Sequence, residues 1–234
     1  MRFFEKVALV AGGTGSLGRA VTLAFLGEGA QVIATARSAS SFQPLEAAAG
    51  ERRERLAFIA ADFTRAADAT RAVEEAVARH GRLDVVVNAM GGWAGGVRLA
   101  DEPNDMLDGM LDLNLRAGYR LARAAIPQLV RGGKGAFVEV ASRAAVGPQP
   151  KQSSYAASKA AALSLFLSLA EEVKRDGVRV NVVLPGTMDT EANRSAMPAA
   201  NRSAWVSPED VARVILFLCS DDARAVHGAA VTVP

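Results

Sequence analysis

The stretch Lys6-Val7-Ala8-Leu9-Val10-Ala11-Gly12-Gly13-Thr14-Gly15-Ser16-Leu17-Gly18 runs from a short apolar segment into a glycine-rich turn, and Arg19 to Glu28 then takes on helical spacing. A continuous apolar run closed by glycine fits a buried strand, and apolar residues recurring every three to four positions fit a helix packed on one face. Strand, glycine loop and helix in that order give the loop its meaning. Glycine lets the backbone come close to a pyrophosphate, while a helix N-terminus offers N–H donors and the positive end of a dipole. Gly13, Gly15 and Gly18 fit G-x-G-x-x-G, and Gly12, Thr14, Ser16 and Leu17 complete the candidate cradle. Two competing loops fit less well. A P-loop needs Lys-Ser/Thr after the last glycine, where this chain has Arg19-Ala20; a nucleophile elbow, G-x-S-x-G, nearly fits around Ser16, but Thr14 stands where glycine is required.

Outward from this unit, strand-like and helical stretches alternate to the end of the chain. Strands are expected at Gln31 to Ala36, Leu56 to Ala61, Asp84 to Asn88, Phe137 to Ala141, Val178 to Leu184 and Ala229 to Val233. Helices are expected over 42–54 and over Ala66 to His80, with Gly81 as the C-terminal cap of the second. Asn104 to Val130 reads as one long helix that Pro127 should end or kink. Another runs from about Ser154 to Arg175, with Ser153 and Ser154 as its caps, and the last begins at Ser207-Pro208-Glu209-Asp210 and reaches about Ser220. Alternation along all 234 residues, with no repeat or linker, implies a single α/β domain over 1–234. Its architecture should be a doubly wound, parallel, seven-stranded Rossmann sheet with helices on both faces and ligands at the strands' C-terminal ends.

Composition narrows the partners. Half the residues are hydrophobic and 22% are charged, with a net charge of +2, and no basic run is dense enough for nucleic acid. Long apolar segments are interrupted well before about 18 residues, so no membrane span is expected. Met1-Arg2-Phe3-Phe4-Glu5-Lys6 lacks a signal peptide's apolar core, and a cytoplasmic location is the expectation. Cys219, the single cysteine, should be a buried thiol; His80 and His227 belong to no cluster with metal-ligand spacing, and no metal is assigned.

The strand at 31–36 ends in Ala36-Arg37-Ser38, and no acid occurs from Gln31 to Leu45. A carboxylate here would bond an adenosine ribose, whereas arginine suits a 2′-phosphate, so Arg37 points to NADP(H). Ser142 follows an apolar run, and Tyr155 and Lys159 lie four apart on a helix. An ammonium beside a phenol favours the phenolate, so Lys159 is expected to lower the Tyr155 pKa, while Ser142 bonds the substrate oxygen and Tyr155 gives or takes its proton. Alone, this pattern also fits a surface tyrosine and a solvated lysine.

A serine, twelve intervening residues and then Tyr155-Ala156-Ala157-Ser158-Lys159 resembles the active-site signature of the short-chain dehydrogenase/reductases. The glycine loop is similar to that family's T-G-x-x-x-G-x-G, with Ala11 and Ser16 as departures. The resemblance implies that Asp62 bonds the adenine amino group with Phe63 following it, that Asn88-Ala89 lies beside the cofactor, and that Asn114 is the fourth catalytic residue, holding a water that links Lys159 to solvent. It also implies that Pro185-Gly186, backbone near Met188 and the Thr190 hydroxyl hold the nicotinamide. Ala156, Ala157, Ala160 and Ala161, with the helix carrying Asn114, resemble the family's subunit contact, implying a homodimer or homotetramer. Gly91-Gly92-Trp93-Ala94-Gly95-Gly96 and the loop at about 187–206, with Met197, resemble segments of dihydropteridine reductases; Trp93 is either a ligand platform or a packed side chain.

These features point to an NADPH-dependent oxidoreductase acting on a small ketone- or quinone-like carbonyl. A pteridine reductase is the alternative, and a non-catalytic NADP(H)-binding sensor or scaffold is the alternative of another class.

Overall fold

β1 (Val7–Ala11) is buried at every position, and that is why its sequence is apolar throughout instead of alternating: both faces of its sheet are covered. In the computed structural model, which describes residues 1–234, β1 is followed by α1 (Ser16–Gly27), β2 (Gln31–Ala36), α2 (Gln43–Ala49), β3 (Leu56–Ala60), α3 (Ala66–His80) and β4 (Val85–Asn88). Then come α4 (Met106–Leu111), α5 (Ala117–Arg131), β5 (Gly135–Val140), α6 (Ser153–Glu172), β6 (Val178–Pro185), α7 (Glu191–Ala196), α8 (Pro208–Cys219) and β7 (Ala230–Val233). The seven strands form one sheet in the order β3-β2-β1-β4-β5-β6-β7, with every pair parallel. Strand order therefore reverses between β1 and β4, which opens a crevice at their C-terminal ends.

Each face of the sheet has its own core. On one, α1 and α8 bring Val21, Phe25, Leu26, Ile215 and Leu216 onto Val10, Val87 and Val138. On the other, α3, α5 and α6 bring Val73, Leu121, Ala125 and Phe166 onto Leu9, Val86 and Phe137, and the Phe137 and Phe166 rings stack with centroids 5.2 Å apart. Several caps follow the sequence directly. Gly81 takes φ 71° after α3, and its N–H bonds the Val77 carbonyl at 2.7 Å. Ser207 accepts from the Asp210 N–H at the start of α8, with Pro208 at the first turn.

The long helical stretch expected from Asn104 to Val130 runs unbroken from Met106 to Arg131, with a single π turn, Asp112–Arg116, set between α4 and α5 and carrying Asn114. Two expectations are corrected. Pro127 does not end α5, which continues to Arg131. Both Pro127 and Arg123, whose carbonyl loses its partner to the proline, face solvent, and hydration there makes the missing bond tolerable. Ser153 and Ser154 are not caps. Gln152 occupies the cap position of α6, so both serines lie inside its first turn, and the Ser154 hydroxyl donates to the Glu102 carboxylate.

Candidate active site

The glycine loop lies at the reversal between β1 and β4. Gly12 adopts φ 75°, a left-handed conformation that glycine enters without strain, and the turn is pinned by the Gly13 N–H on the Thr35 carbonyl at 2.9 Å. A methyl group at Gly18 would overlap the Gly12 carbonyl oxygen, so α1 packs directly on the loop. Gly15 is the N-cap of α1 and supplies no side-chain acceptor; a Cβ there would meet only the Gly12 oxygen, at 3.5 Å. The first N–H groups of a 12-residue helix are thus left for whatever enters the cleft, and Gly15, Ser16, Leu17 and Gly18 all line it. This cradle fits a dinucleotide's pyrophosphate.

At the far end, Arg37 is exposed just beyond β2 and forms no ion pair, while Asp62 follows β3, the neighbouring strand. The Thr64 hydroxyl and N–H both donate to the Asp62 carboxylate, at 2.7 and 3.0 Å, and with the Arg37 charge they hold its pKa below the usual carboxylate range. Thr14 donates to Ser41 at 3.2 Å, tying the glycine loop to the turn after β2. The Phe63 ring faces the core at 2% exposure, so only its backbone is open to a ligand.

At the opposite end, β5 delivers Ser142, whose Oγ accepts from the Ala144 N–H at 3.1 Å. Tyr155 and Lys159 come from the first two turns of α6. Lys159 is buried at 4% exposure, and its Nζ donates to the Val140 carbonyl at 3.0 Å. Asn114, also buried, is clamped to Gly92: its Oδ1 accepts from the Gly92 N–H at 2.9 Å, and its Nδ2 donates to the Gly92 carbonyl and the Ser158 hydroxyl, each at 3.0 Å. The π turn is what aims Asn114 inward. Asn114 Oδ1 and Lys159 Nζ both border Gly91, each 3.0 Å from where a Cβ would stand. Asn88 ends β4, accepts from the Met90 N–H at 3.2 Å and so sets the path of the segment beside the cleft.

Burial reverses one expected sign. Desolvation raises the Tyr155 pKa, with Ser142 acting the other way, instead of the ammonium lowering it. The reason is visible in Lys159: its charge is itself desolvated, which depresses its pKa, and its charge partner is Glu139. Glu139 lies on β5 with no exposed surface; Asn88 donates to its Oε2 at 2.7 Å, and its Oε1 has no partner. Desolvation pushes this carboxyl up to about 8, against the pull of Lys159 and Asn88.

The cleft has a volume of about 980 Å³ and brings together the glycine loop, Ala89, Ser142, Tyr155, Lys159, Pro185 and Gly186. Met188, Thr190, Trp93 and Met197 also line it. Thr190 caps α7 by accepting from the Asn193 N–H at 3.2 Å, and the Trp93 ring, 55% exposed, is held by its Nε1 on Gln152 Oε1 at 3.0 Å. Gly12, Gly13, Thr14, Asn88 and Asn114 stand behind the wall as supports, and Arg37, Asp62 and Phe63 lie outside it, beyond β2 and β3.

The family model for short chain dehydrogenases matches residues 6–201. The chain belongs to the short-chain dehydrogenase family. Among relatives of this short-chain dehydrogenase, the 3-oxoacyl-[acyl-carrier-protein] reductase FabG of Thermotoga maritima is 30% identical over 97% of this chain and 96% of its own. A solved short-chain type dehydrogenase/reductase from Mycobacterium ulcerans superposes with TM-score 0.92 at 29% identity, covering 100% of this chain and 90% of that one. The structure of ElxO with NADP bound has TM-score 0.93 at 23% identity, over 97% and 96% of the two chains, a likeness of fold.

Two residues of this short-chain dehydrogenase escaped the sequence reading. Glu139 was signalled by an acid inside Phe137-Val138-Glu139-Val140-Ala141, an apolar strand where a carboxylate needs a reason. Arg143 stands directly after Ser142, and nothing in its spacing showed that it would line the cleft.

Proposed function

We propose that the chain is an NADPH-dependent reductase of small ketone- or quinone-like carbonyl compounds. The presence of Ser142, Tyr155 and Lys159 together in the lining of one cleft carries this conclusion. When bound, the nicotinamide supplies the hydride. The glycine loop and α1 N-terminus hold the pyrophosphate, Arg37 the 2′-phosphate, and Pro185, Gly186 and Thr190 the nicotinamide end. Ser142 donates a hydrogen bond to the substrate oxygen and polarises the carbonyl, and Tyr155 Oη transfers its proton to that oxygen. With its pKa raised by burial, the phenol is protonated at neutral pH, as an acid must be. Lys159, one helical turn on, stabilises the tyrosinate left behind, and Asn114, bordering Gly91 beside Lys159, keeps the path by which the proton is replaced. The name of the Thermotoga maritima relative, a reductase of an oxo group, agrees with carbonyl chemistry.

The test is single-turnover oxidation of NADPH across a panel of quinones, diketones and dihydropterins. Tyr155→Phe should slow turnover by at least about 100-fold; equal turnover by the variant would refute the mechanism. A second reading, a flat bicyclic pterin as substrate, is favoured by the exposed Trp93 face alone, and preferential turnover of the dihydropterin would establish it. The small exposed or half-exposed Ala156, Ala157, Ala160 and Ala161 of α6 support a homo-oligomer.

A further inference from the structure

Arg143 begins the turn that follows Ser142, and that turn is rigidly made. The Ser142 Oγ accepts from Ala144 N–H at 3.1 Å, the Ser142 carbonyl from Ala145 N–H at 2.9 Å, and the Arg143 carbonyl from Val146 N–H at 3.2 Å. The Arg143 stem then runs along the cleft wall, its Cδ 3.6 Å from where a Gly186 Cβ would stand. Its guanidinium is exposed and takes part in no ion pair or side-chain hydrogen bond, although Arg2, Arg71, Arg79, Arg82, Arg194 and Arg213 are all paired. None of the 29 residues lining the cleft is an aspartate or glutamate. The other cation among them, Lys159, is buried and already donates to the Val140 carbonyl. The cleft thus holds one cationic side chain without an ion-pair partner, on the residue that follows Ser142.

We infer that the carbonyl substrate carries an anionic oxygen group, a carboxylate in the simplest case, which Arg143 binds while the carbonyl rests against Ser142 and Tyr155. The inference rests on the reductase reading and narrows its substrate class. A guanidinium presents two parallel N–H donors that match the two oxygens of a carboxylate. No aspartate or glutamate lines the cleft, and the Pro234 carboxyl, which borders the same side of Gly186 as the Arg143 stem, forms no ion pair with it, so the guanidinium remains able to attract an anion into the cleft and to repel a cation. Val146, Met188, Met197 and the Trp93 ring supply apolar wall for the remainder of the molecule, so an oxo acid with an apolar or aromatic body fits both halves.

Phenylglyoxylate and its methyl ester share a ring and a ketone and differ in charge, so they test the assignment. Titration calorimetry on the protein saturated with NADP+ should show the acid binding more tightly than the ester by about ten-fold, the size of one charge-assisted bond at a partly open site. Arg143→Gln should bring the ratio close to one, and Arg143→Lys should restore part of it. Equal affinities in the parent protein, or a preference that survives in Arg143→Gln, would overturn the inference. So would a loss of NADP+ affinity in Arg143→Gln matching the lost preference, because the guanidinium would then serve the cofactor. Oxidation of NADPH by the same pair separates this from the reductase reading. An Arg143-dependent binding preference with no turnover of either compound leaves the anion site standing and removes the reductase. Turnover of both at a ratio indifferent to Arg143 does the reverse.

Discussion

Glu139→Gln should change how the protein's stability depends on pH. Glu139 is fully buried, one oxygen receives a 2.7 Å bond from Asn88, the other receives none, and desolvation lifts the pKa from 4.5 to about 8. The folded state therefore keeps a proton that the unfolded chain gives up. Stability from this group is fully present below pH about 4.5 and is lost as pH rises to about 8, beyond which both states are ionised. Each pH unit in that window is worth up to about 1.4 kcal/mol, so the ceiling is on the order of 5 kcal/mol. Lys159, whose folded pKa is depressed, acts in the opposite direction, because the folded state releases a proton that the unfolded chain holds. The expected result is a net loss of stability between pH 5 and pH 8 that stays below this ceiling. Glutamine keeps an acceptor for Asn88 and cannot ionise, and the cost of its unpartnered amide does not vary with pH. Urea unfolding of both proteins at pH 5, 6.5 and 8 measures the difference. The parent should weaken relative to the variant across the series; parallel lines would show that Glu139 keeps an ordinary carboxyl pKa and that the burial argument is wrong.

Arg37→Asp should lower NADPH affinity by about ten-fold or more and improve NADH use, since it replaces a phosphate partner with a ribose partner and adds a second acid beside Asp62; the ratio of kcat/KM for the two cofactors measures it. Gly18→Ala should cost about 1–3 kcal/mol in urea unfolding, because its methyl would overlap the Gly12 oxygen and reach 2.8 Å from Gly13 Cα. The same variant should bind nucleotide weakly, as α1 can move off the loop only by disturbing its N–H donors. Ala157→Arg, on the exposed small face of α6, should convert an oligomer to monomer in light scattering at micromolar concentration; a monomeric parent would remove the proposed subunit contact.

What was legible in the sequence is what the backbone repeats. The strand, glycine loop and helix at 7–27 announced a doubly wound sheet because apolar period and glycine placement are local signals, and Gly81 and Ser207 marked helix ends for the same reason. Features decided by distant partners were not legible. Ser154 looked like a cap until Glu102, 52 residues away, claimed its hydroxyl. The π turn at 112–116 leaves no trace in an apolar pattern that fits a continuous helix, yet it is what allows Asn114 to reach Gly92 and Ser158. Arg143 could be read as the residue after a serine, while its freedom from ion pairs depends on every acid that the fold places elsewhere.

The sign of the Tyr155 shift is the sharpest case of this kind. Spacing alone puts an ammonium one turn from a phenol and suggests a lowered pKa. The fold adds that both groups are out of water, and that the ammonium is shared with the Val140 carbonyl at 3.0 Å and with Glu139. Desolvation penalises each charged form separately, so the phenol stays protonated and the ammonium is held less firmly than in water. An acid in that state is ready to donate, and the cost is deferred to the moment when tyrosinate forms. The Lys159 charge then gains an anion one helical turn away. An ionised Glu139 would compete with the tyrosinate for that ammonium, and desolvation, which lifts the Glu139 carboxyl up to about 8, favours the neutral form that leaves Lys159 to Tyr155.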